Sequence, residues 1–277
     1  MDKCFINLPL WAIKTLNKYY NEFRMTQKPN PDGLSTISLA GKTIFITGAA
    51  RRIGALIAMT AAQAGADIIL HHNQSIDQAR ELANNIREMG RSVSIVNADF
   101  ADLKNVKKLA DHVFDKFQID ILVNNAAIFD PVSMQETTLV IWQKHININL
   151  TVPFLLSQAF AKHLQPDKKG RIINIIDWRA LRPGGDHFPY TISKAALASL
   201  TNAMAAALAP QISVNAVAFG AILPPSDGTK AENFLAHIPS GRLATKEEVS
   251  QTLLFLMTGP EYITGEIIYL DGGRHLY

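Results

Sequence analysis

Thr43-Ile44-Phe45-Ile46-Thr47-Gly48-Ala49-Ala50-Arg51-Arg52-Ile53-Gly54 is the stretch that decides the fold. A short β-branched run ends at Gly48, small residues follow, and an alanine-rich helical segment runs from Ile53 to Ala64. A strand that feeds a glycine-bearing turn opening a helix lets backbone N–H groups approach a pyrophosphate. The helix N-terminus behind the turn favours negative charge. A partial glycine pattern is weak by itself, and its position between a strand and a helix is the stronger part of the signal.

The same alternation continues outward from this unit. Strand-like runs occur at Asp67–Leu70, Val93–Val96, Ile119–Val123, Arg171–Ile176, Ile212–Ala218 and Ile267–Leu270. Between them lie helical stretches at Ile76–Met89, Leu103–Phe117, about Leu139–Leu164, His187–Leu208 and Lys246–Thr258. Pro153 predicts a kink inside the third of these. Continuously apolar strands alternating with helices imply a parallel sheet covered on both faces. The reading is therefore α/β, a single doubly wound Rossmann-type domain over residues 41–277. Residues 1–40 form an N-terminal extension and linker, with Pro29, Pro31 and Gly33 marking the linker. Trp11, Ile13, Leu16, Tyr19, Tyr20 and Phe23 fit one face of an amphipathic helix; translation from Met25 fits equally well.

Composition removes several classes of function. The 277 residues are 48% hydrophobic and 18% charged with a net charge of +3, which is globular and too weakly basic for nucleic acid. The single cysteine, Cys4, cannot form an internal disulfide and favours a reducing, cytoplasmic compartment. No apolar run is long enough to span a membrane, and no Cys/His/Asp cluster has metal spacing.

Cofactor choice is read after the second strand, where an acid would bind a ribose 2′-hydroxyl and repel a 2′-phosphate. This chain has His71-His72-Asn73-Gln74-Ser75, with no acid, and Arg51 can supply positive charge. That favours NADP(H). Further on, Tyr190 and Lys194 stand four apart on one helical face, so the ammonium is expected to lower the tyrosine pKa. A lone pair of this kind equally suits two exposed helix residues. Asp177, thirteen residues before Tyr190, changes the balance.

Together these residues resemble the short-chain dehydrogenase/reductase family. The match runs from about Gly41 to Gly273 and includes Asp99, Asn124-Asn125-Ala126, Asn149, Tyr190, Lys194, Tyr262-Ile263-Thr264-Gly265 and Asp271-Gly272-Gly273. Within that family Arg52, His71 with Ser75, Phe129 and Asp177 resemble the pteridine reductases and dihydromonapterin reductases. The resemblance implies a cofactor bound by Gly48, Arg51, Arg52, Ile53, His71, His72, Asn73, Ser75, Asp99, Phe100, Asn125, Ala126, Ala127, Tyr190, Lys194, Gly220 and Ile222. It implies catalysis by Asp177, Tyr190, Lys194 and Asn149, the last through a bound water. It implies a pterin held by Arg52, Phe129, Asp177 and Tyr190, with Phe129 stacking on it, and a lid over residues 223–239. It also implies a homotetramer built on the two long helices. Ala127 stands where such reductases often have serine, Gln74 where some have arginine, and Phe219-Gly220 replaces the usual Pro-Gly.

The usual serine at the position of Asp177 donates a hydrogen bond to a carbonyl oxygen that becomes negative. A carboxylate accepts only. Reduction of C=N differs, because the nitrogen must gain a proton. The expected reaction is NADPH-dependent reduction of a dihydropterin, with dihydromonapterin ahead of dihydrobiopterin and dihydrofolate. A ketone or 3-oxoacyl reductase, or a weakly active NADP(H)-sensing protein, is the alternative.

Overall fold

Ile44 and Ile46 pack to one side of strand β1 (Thr43–Ile46) and Phe45 to the other, all three fully buried. The same alternation places Ile68 and Leu70 of β2 (Asp67–His72) in one core and Ile69 in the second. It recurs at Ile121, Val123 and Leu122 of β4 (Ile121–Asn124). Side chains alternate across a strand, so continuously apolar strands demand a cover on each face. The computed structural model, which describes residues 38–222, 235 and 237–276, supplies both. Each fully buried Phe, Leu or Ile contributes roughly 1.5–3 kcal/mol over its exposed form.

The sheet has seven parallel strands in the order β3-β2-β1-β4-β5-β6-β7. The remaining strands are β3 (Val93–Asn97), β5 (Gly170–Asp177), β6 (Ile212–Phe219) and β7 (Ile267–Leu270). Helices α1 (Arg52–Gln63), α2 (Ile76–Glu88) and α7 (Lys246–Thr258) pack on one face. Helices α3 (Leu103–Lys116), α5 (Val152–His163) and α6 (Phe188–Leu208) cover the other, and α4 (Leu139–Ile146) packs against α6. Thr245 and Glu248 cap α7 reciprocally, and Asp102 caps α3.

The long helix expected around Pro153 is interrupted just before that residue. Residues 147–151 form one π-helical turn between α4 and α5. Pro153 has no N–H to return to the Asn149 carbonyl one turn back. The strand order reverses beside β1, whose neighbours are β2 and β4. In an open sheet of this kind the crevice at the carboxyl ends of the strands is the ligand site. The expected extension, but for residues 38–40, and most of the expected lid lie outside the described residues.

Candidate active site

The loops after β1 and β4 meet at the reversal point and are tied to each other. Thr47 Oγ1 accepts from the N–H groups of Asn125 and Ala126, at 2.9 and 3.0 Å. Asn125 Nδ2 donates to the carbonyls of Thr47 and Gly48, at 2.8 and 3.0 Å. Gly48 has φ 61° and a Cβ there would lie 2.9 Å from Ala126 Cα, so glycine is required twice over. A Cβ at Gly54 would overlap the Gly48 carbonyl and lie 2.9 Å from Ala49 Cα.

This bare backbone cradle opens on a helix start that asks for an anion. Arg51, the residue before α1, makes no side-chain cap, and the first turn holds no acid. Arg51 and Arg52 are both exposed there. Arg52 stands where the fingerprint has glycine and adopts the glycine conformation, with φ 53°. The N-cap of α2, Ser75, also makes no side-chain cap, and Asn73 and Gln74 beside it are exposed. Asp99 Oδ1 accepts from Asn73 Nδ2 and from the Ala101 N–H. The cradle and these donors fit a dinucleotide carrying a 2′-phosphate.

His71 and His72 do not reach this surface. Strand β2 runs two residues beyond its apolar stretch, and both histidines are buried. The Gly48 N–H donates to His71 Nδ1 at 3.0 Å, which leaves Nε2–H to donate to the Ala98 carbonyl at 3.1 Å. Phe100 stacks on the His71 ring at 4.0 Å. Burial pulls the His71 pKa down to about 4. His71 therefore supports the phosphate loop from beneath as a neutral ring, and its side chain has no nitrogen left for a ligand. Ala127 is exposed at the end of β4, and Gly220 with the buried Ile222 follows β6.

Asp177, Tyr190 and Lys194 converge at the carboxyl end of β5. Asp177 ends that strand and Tyr190 sits in the first turn of α6, fixed by Pro189 beside it. Tyr190 Oη donates to Asp177 Oδ2 at 3.1 Å, while Asp177 Oδ1 accepts the Arg179 N–H at 2.9 Å. Lys194 Nζ is buried and donates to the Ile175 carbonyl at 2.6 Å.

The expected lowering of the tyrosine pKa by Lys194 is overturned. Burial first, and then the Asp177 carboxylate, push the Tyr190 phenol well above its ordinary value, with Arg179 opposing. The carboxylate is on the hydroxyl, whereas the ammonium is 5.9 Å from the ring centroid. Burial draws Lys194 itself down to about 8, against the pull of Asp177.

Asn149 lies in the π-turn and is fully buried. Its amide is spent on protein: Oδ1 accepts from the Ile128 N–H at 2.9 Å, and Nδ2 donates to the Ile128 carbonyl and to Ser193 Oγ. A water at this residue would meet its backbone carbonyl, not its side chain. Asn149 thereby anchors the segment carrying Phe129 to the helix carrying Tyr190.

Phe129 is 49% exposed. Its ring lies edge-on to Tyr190 with centroids 4.5 Å apart and to His187 at 3.9 Å. His187 is the left-handed N-cap of α6, with φ 51°. Arg179 Nη2 pairs with Asp186 at 2.8 Å and its guanidinium lies 5.8 Å from the Phe129 ring. Trp178 carries a second cation, Arg274, on its ring at 4.4 Å. Arg274 is absent from the sequence-derived site; the fold brings it in from the far end of the chain. Among the described residues no group of three or more His, Cys, Asp or Glu is gathered for a metal, and no helix is long and apolar enough to cross a membrane.

The family profile for enoyl-(acyl carrier protein) reductase matches residues 48–275. The 3-oxoacyl-[acyl-carrier-protein] reductase of Synechocystis sp. is 34% identical over 245 residues, covering 87% of this chain and 99% of its own. The FolM alternative dihydrofolate reductase 1 of Brucella canis, solved with NADP, superposes with a TM-score of 0.78 at 35% identity, over 86% of this chain and 96% of its own. A short chain dehydrogenase from Burkholderia cenocepacia in complex with NADP gives 0.79 at 34% identity, over 85% and 98%. With the phosphate cradle, the Tyr190–Lys194 helix and these matches in place, the chain belongs to the short-chain dehydrogenase/reductase family.

Proposed function

We propose that this NADP(H)-dependent oxidoreductase reduces the C=N bond of a dihydropterin to give the tetrahydropterin. The observation that carries the reading is the Tyr190 Oη–Asp177 Oδ2 hydrogen bond of 3.1 Å beneath the exposed Phe129 ring. Bound NADPH supplies the hydride. The chain's own groups then have to hold a flat ring and deliver a proton to nitrogen. Phe129 offers an apolar face for stacking. Tyr190 enters the reaction protonated, as a general acid must; burial and Asp177 raise its pKa further, which holds the proton on the phenol and makes it a weaker acid until the substrate nitrogen becomes basic.

An ordinary carbonyl reductase would place a hydroxyl donor at position 177, to serve a growing oxyanion. Here both Asp177 oxygens accept, from Tyr190 and from the Arg179 N–H. Such an acceptor opposes an oxyanion but can accept from a pterin ring N–H. On the cofactor side, Gly48, Ile53, Asn125, Ala126, Ala127, Gly220 and Ile222 would line the dinucleotide, with Arg51, Arg52, Asn73 and Ser75 toward the 2′-phosphate. The FolM alternative dihydrofolate reductase superposition supports this reading, while the similarity to a 3-oxoacyl reductase supports carbonyl chemistry.

Leu139, Val140 and Phe154 are exposed on α4 and α5, which suits the homotetramer implied by the family. The single Cys4 suits the cytoplasm.

NADPH oxidation with 7,8-dihydromonapterin, dihydrobiopterin, dihydrofolate and an acetoacetyl thioester tests the assignment. Turnover on a dihydropterin without turnover on the thioester is expected. Turnover on the thioester alone would replace the proposal with the carbonyl reductase.

A further inference from the structure

Two arginines, Arg179 and Arg274, lie on the Trp178 ring beside the site in different electrostatic states. Arg179 is paired: Asp186 lies at 2.8 Å and Asp177 at 3.7 Å. Among the described residues Arg274 has no carboxylate within ion-pair distance, and its guanidinium rests on the Trp178 ring at 4.4 Å. Burial and the neighbouring Arg179 disfavour its charge, while Asp177, Asp186 and Asp271 favour it from beyond ion-pair distance. A cation in that setting has an unused capacity for an anion.

Arg274 is also held in place. Asp271, itself buried, accepts from the N–H groups of Gly273 and His275, at 3.0 and 2.8 Å. His275 Nδ1 sits 2.8 Å from Asp271 Oδ2, and its ring stacks on Tyr269 at 3.8 Å. Arg182 donates to the His275 carbonyl at 3.1 Å. The turn that presents Arg274 is therefore fixed from three sides.

A continuous row joins it to the reacting groups. From Tyr190 it passes to Phe129, then Arg179, Trp178 and Arg274, and no step exceeds 5.8 Å. A ring at Phe129 with a long substituent running over Trp178 would bring its far end to Arg274.

We infer that Arg274 is a specificity-determining residue that binds a carboxylate on the substrate's side chain, so that a dihydropterin with an anionic tail is preferred over one with a neutral polyol tail. This rests on the dihydropterin reading, and it moves dihydrofolate ahead of dihydromonapterin and dihydrobiopterin. The planar guanidinium on an indole face is preorganised for a bidentate carboxylate, which a lysine there would not match.

The test compares wild type, Arg274→Gln and Arg274→Lys in two assays. In the first, the ratio of kcat/KM for dihydrofolate to that for dihydrobiopterin should fall at least about tenfold in Arg274→Gln, chiefly through KM. Arg274→Lys should retain part of it. In the second, p-aminobenzoylglutamate, which carries the anionic tail without a reducible ring, is titrated calorimetrically into the NADP⁺-loaded enzyme. Binding to wild type and its loss in Arg274→Gln is the expected result. An unchanged ratio, or p-aminobenzoylglutamate binding that is absent or indifferent to Arg274, overturns the inference. If wild type reduces no dihydropterin, the functional reading fails, and the calorimetric result alone decides whether Arg274 is an anion subsite.

Discussion

Tyr190 and Asp177 share one hydrogen bond of 3.1 Å, with the phenol as donor and the carboxylate as acceptor. The same contact disfavours the phenolate: after burial, the Asp177 charge is the largest influence on the tyrosine. A hydroxyl at position 177 would leave the phenol freer to ionise and would offer a donor to the substrate.

Asp177→Asn should therefore lower kcat on a dihydropterin by about 100-fold, in the range expected when a group engaged in proton transfer is lost. Asp177→Ser should lose dihydropterin turnover and gain activity on a ketone or thioester. Steady-state kinetics on both substrate types checks this. Equal kcat for wild type and Asp177→Asn would remove the carboxylate from the reaction.

Lys194 gives a second expectation, in alkaline solution. Its pKa is near 8 when folded and 10.5 ordinarily, so between those values the unfolded chain holds the extra proton. Stability of the apoprotein should rise with pH across that window, by on the order of 3 kcal/mol relative to Lys194→Met, which has nothing to titrate. Denaturant unfolding of the two proteins at several pH values measures the difference. Parallel curves would mean that the ammonium is better solvated than its burial indicates.

Arg52 is held at φ 53° in a conformation that costs a non-glycine residue about 1 kcal/mol. Arg52→Gly should therefore raise the apoprotein's unfolding free energy by up to roughly that amount, less the extra chain entropy of glycine. The same change removes an exposed cation from the start of α1, and NADPH affinity should fall about tenfold. Opposite signs in stability and cofactor binding would identify a strained residue kept for its charge. A stability gain without loss of NADPH affinity would show that Arg52 does not touch the cofactor.

The sheet was legible in the sequence because its strands are apolar on both faces and its helices are long and regular. The loop after β1 and the Tyr190–Lys194 pair were legible for the same reason: both are local, with spacing set by one turn or one helix. What could not be read was anything decided by distant packing. Nothing near Arg274 signals Trp178, which is almost a hundred residues away. His71 reads as a ligand contact because the apolar run stops at Leu70, yet β2 pairs on with β3 through His72. The direction of the Tyr190 shift also depends on which of two oppositely charged neighbours reaches the hydroxyl, and helical spacing cannot say.

That buried His71 ring leads to an acid-side prediction. In the folded protein it accepts from the Gly48 N–H and stays neutral down to about 4, while the unfolded chain takes up a proton near 6.5. Its contribution to stability is thus complete above 6.5 and is lost as pH falls from there to about 4, by on the order of 3 kcal/mol. His71→Asn keeps an acceptor for Gly48 but cannot titrate, and it gives up the stacking on Phe100, worth about 1 kcal/mol. It should be less stable than wild type at neutral pH and show a flatter decline below 6.5, so the two curves converge in acid. Denaturant unfolding over that range distinguishes the cases. A decline as steep in His71→Asn as in wild type would place the acid sensitivity on other groups. Because the folded His71 ring stays neutral down to about 4, its support of the phosphate loop persists across this interval, and any weakening of NADPH affinity that it causes should appear only near and below that pH.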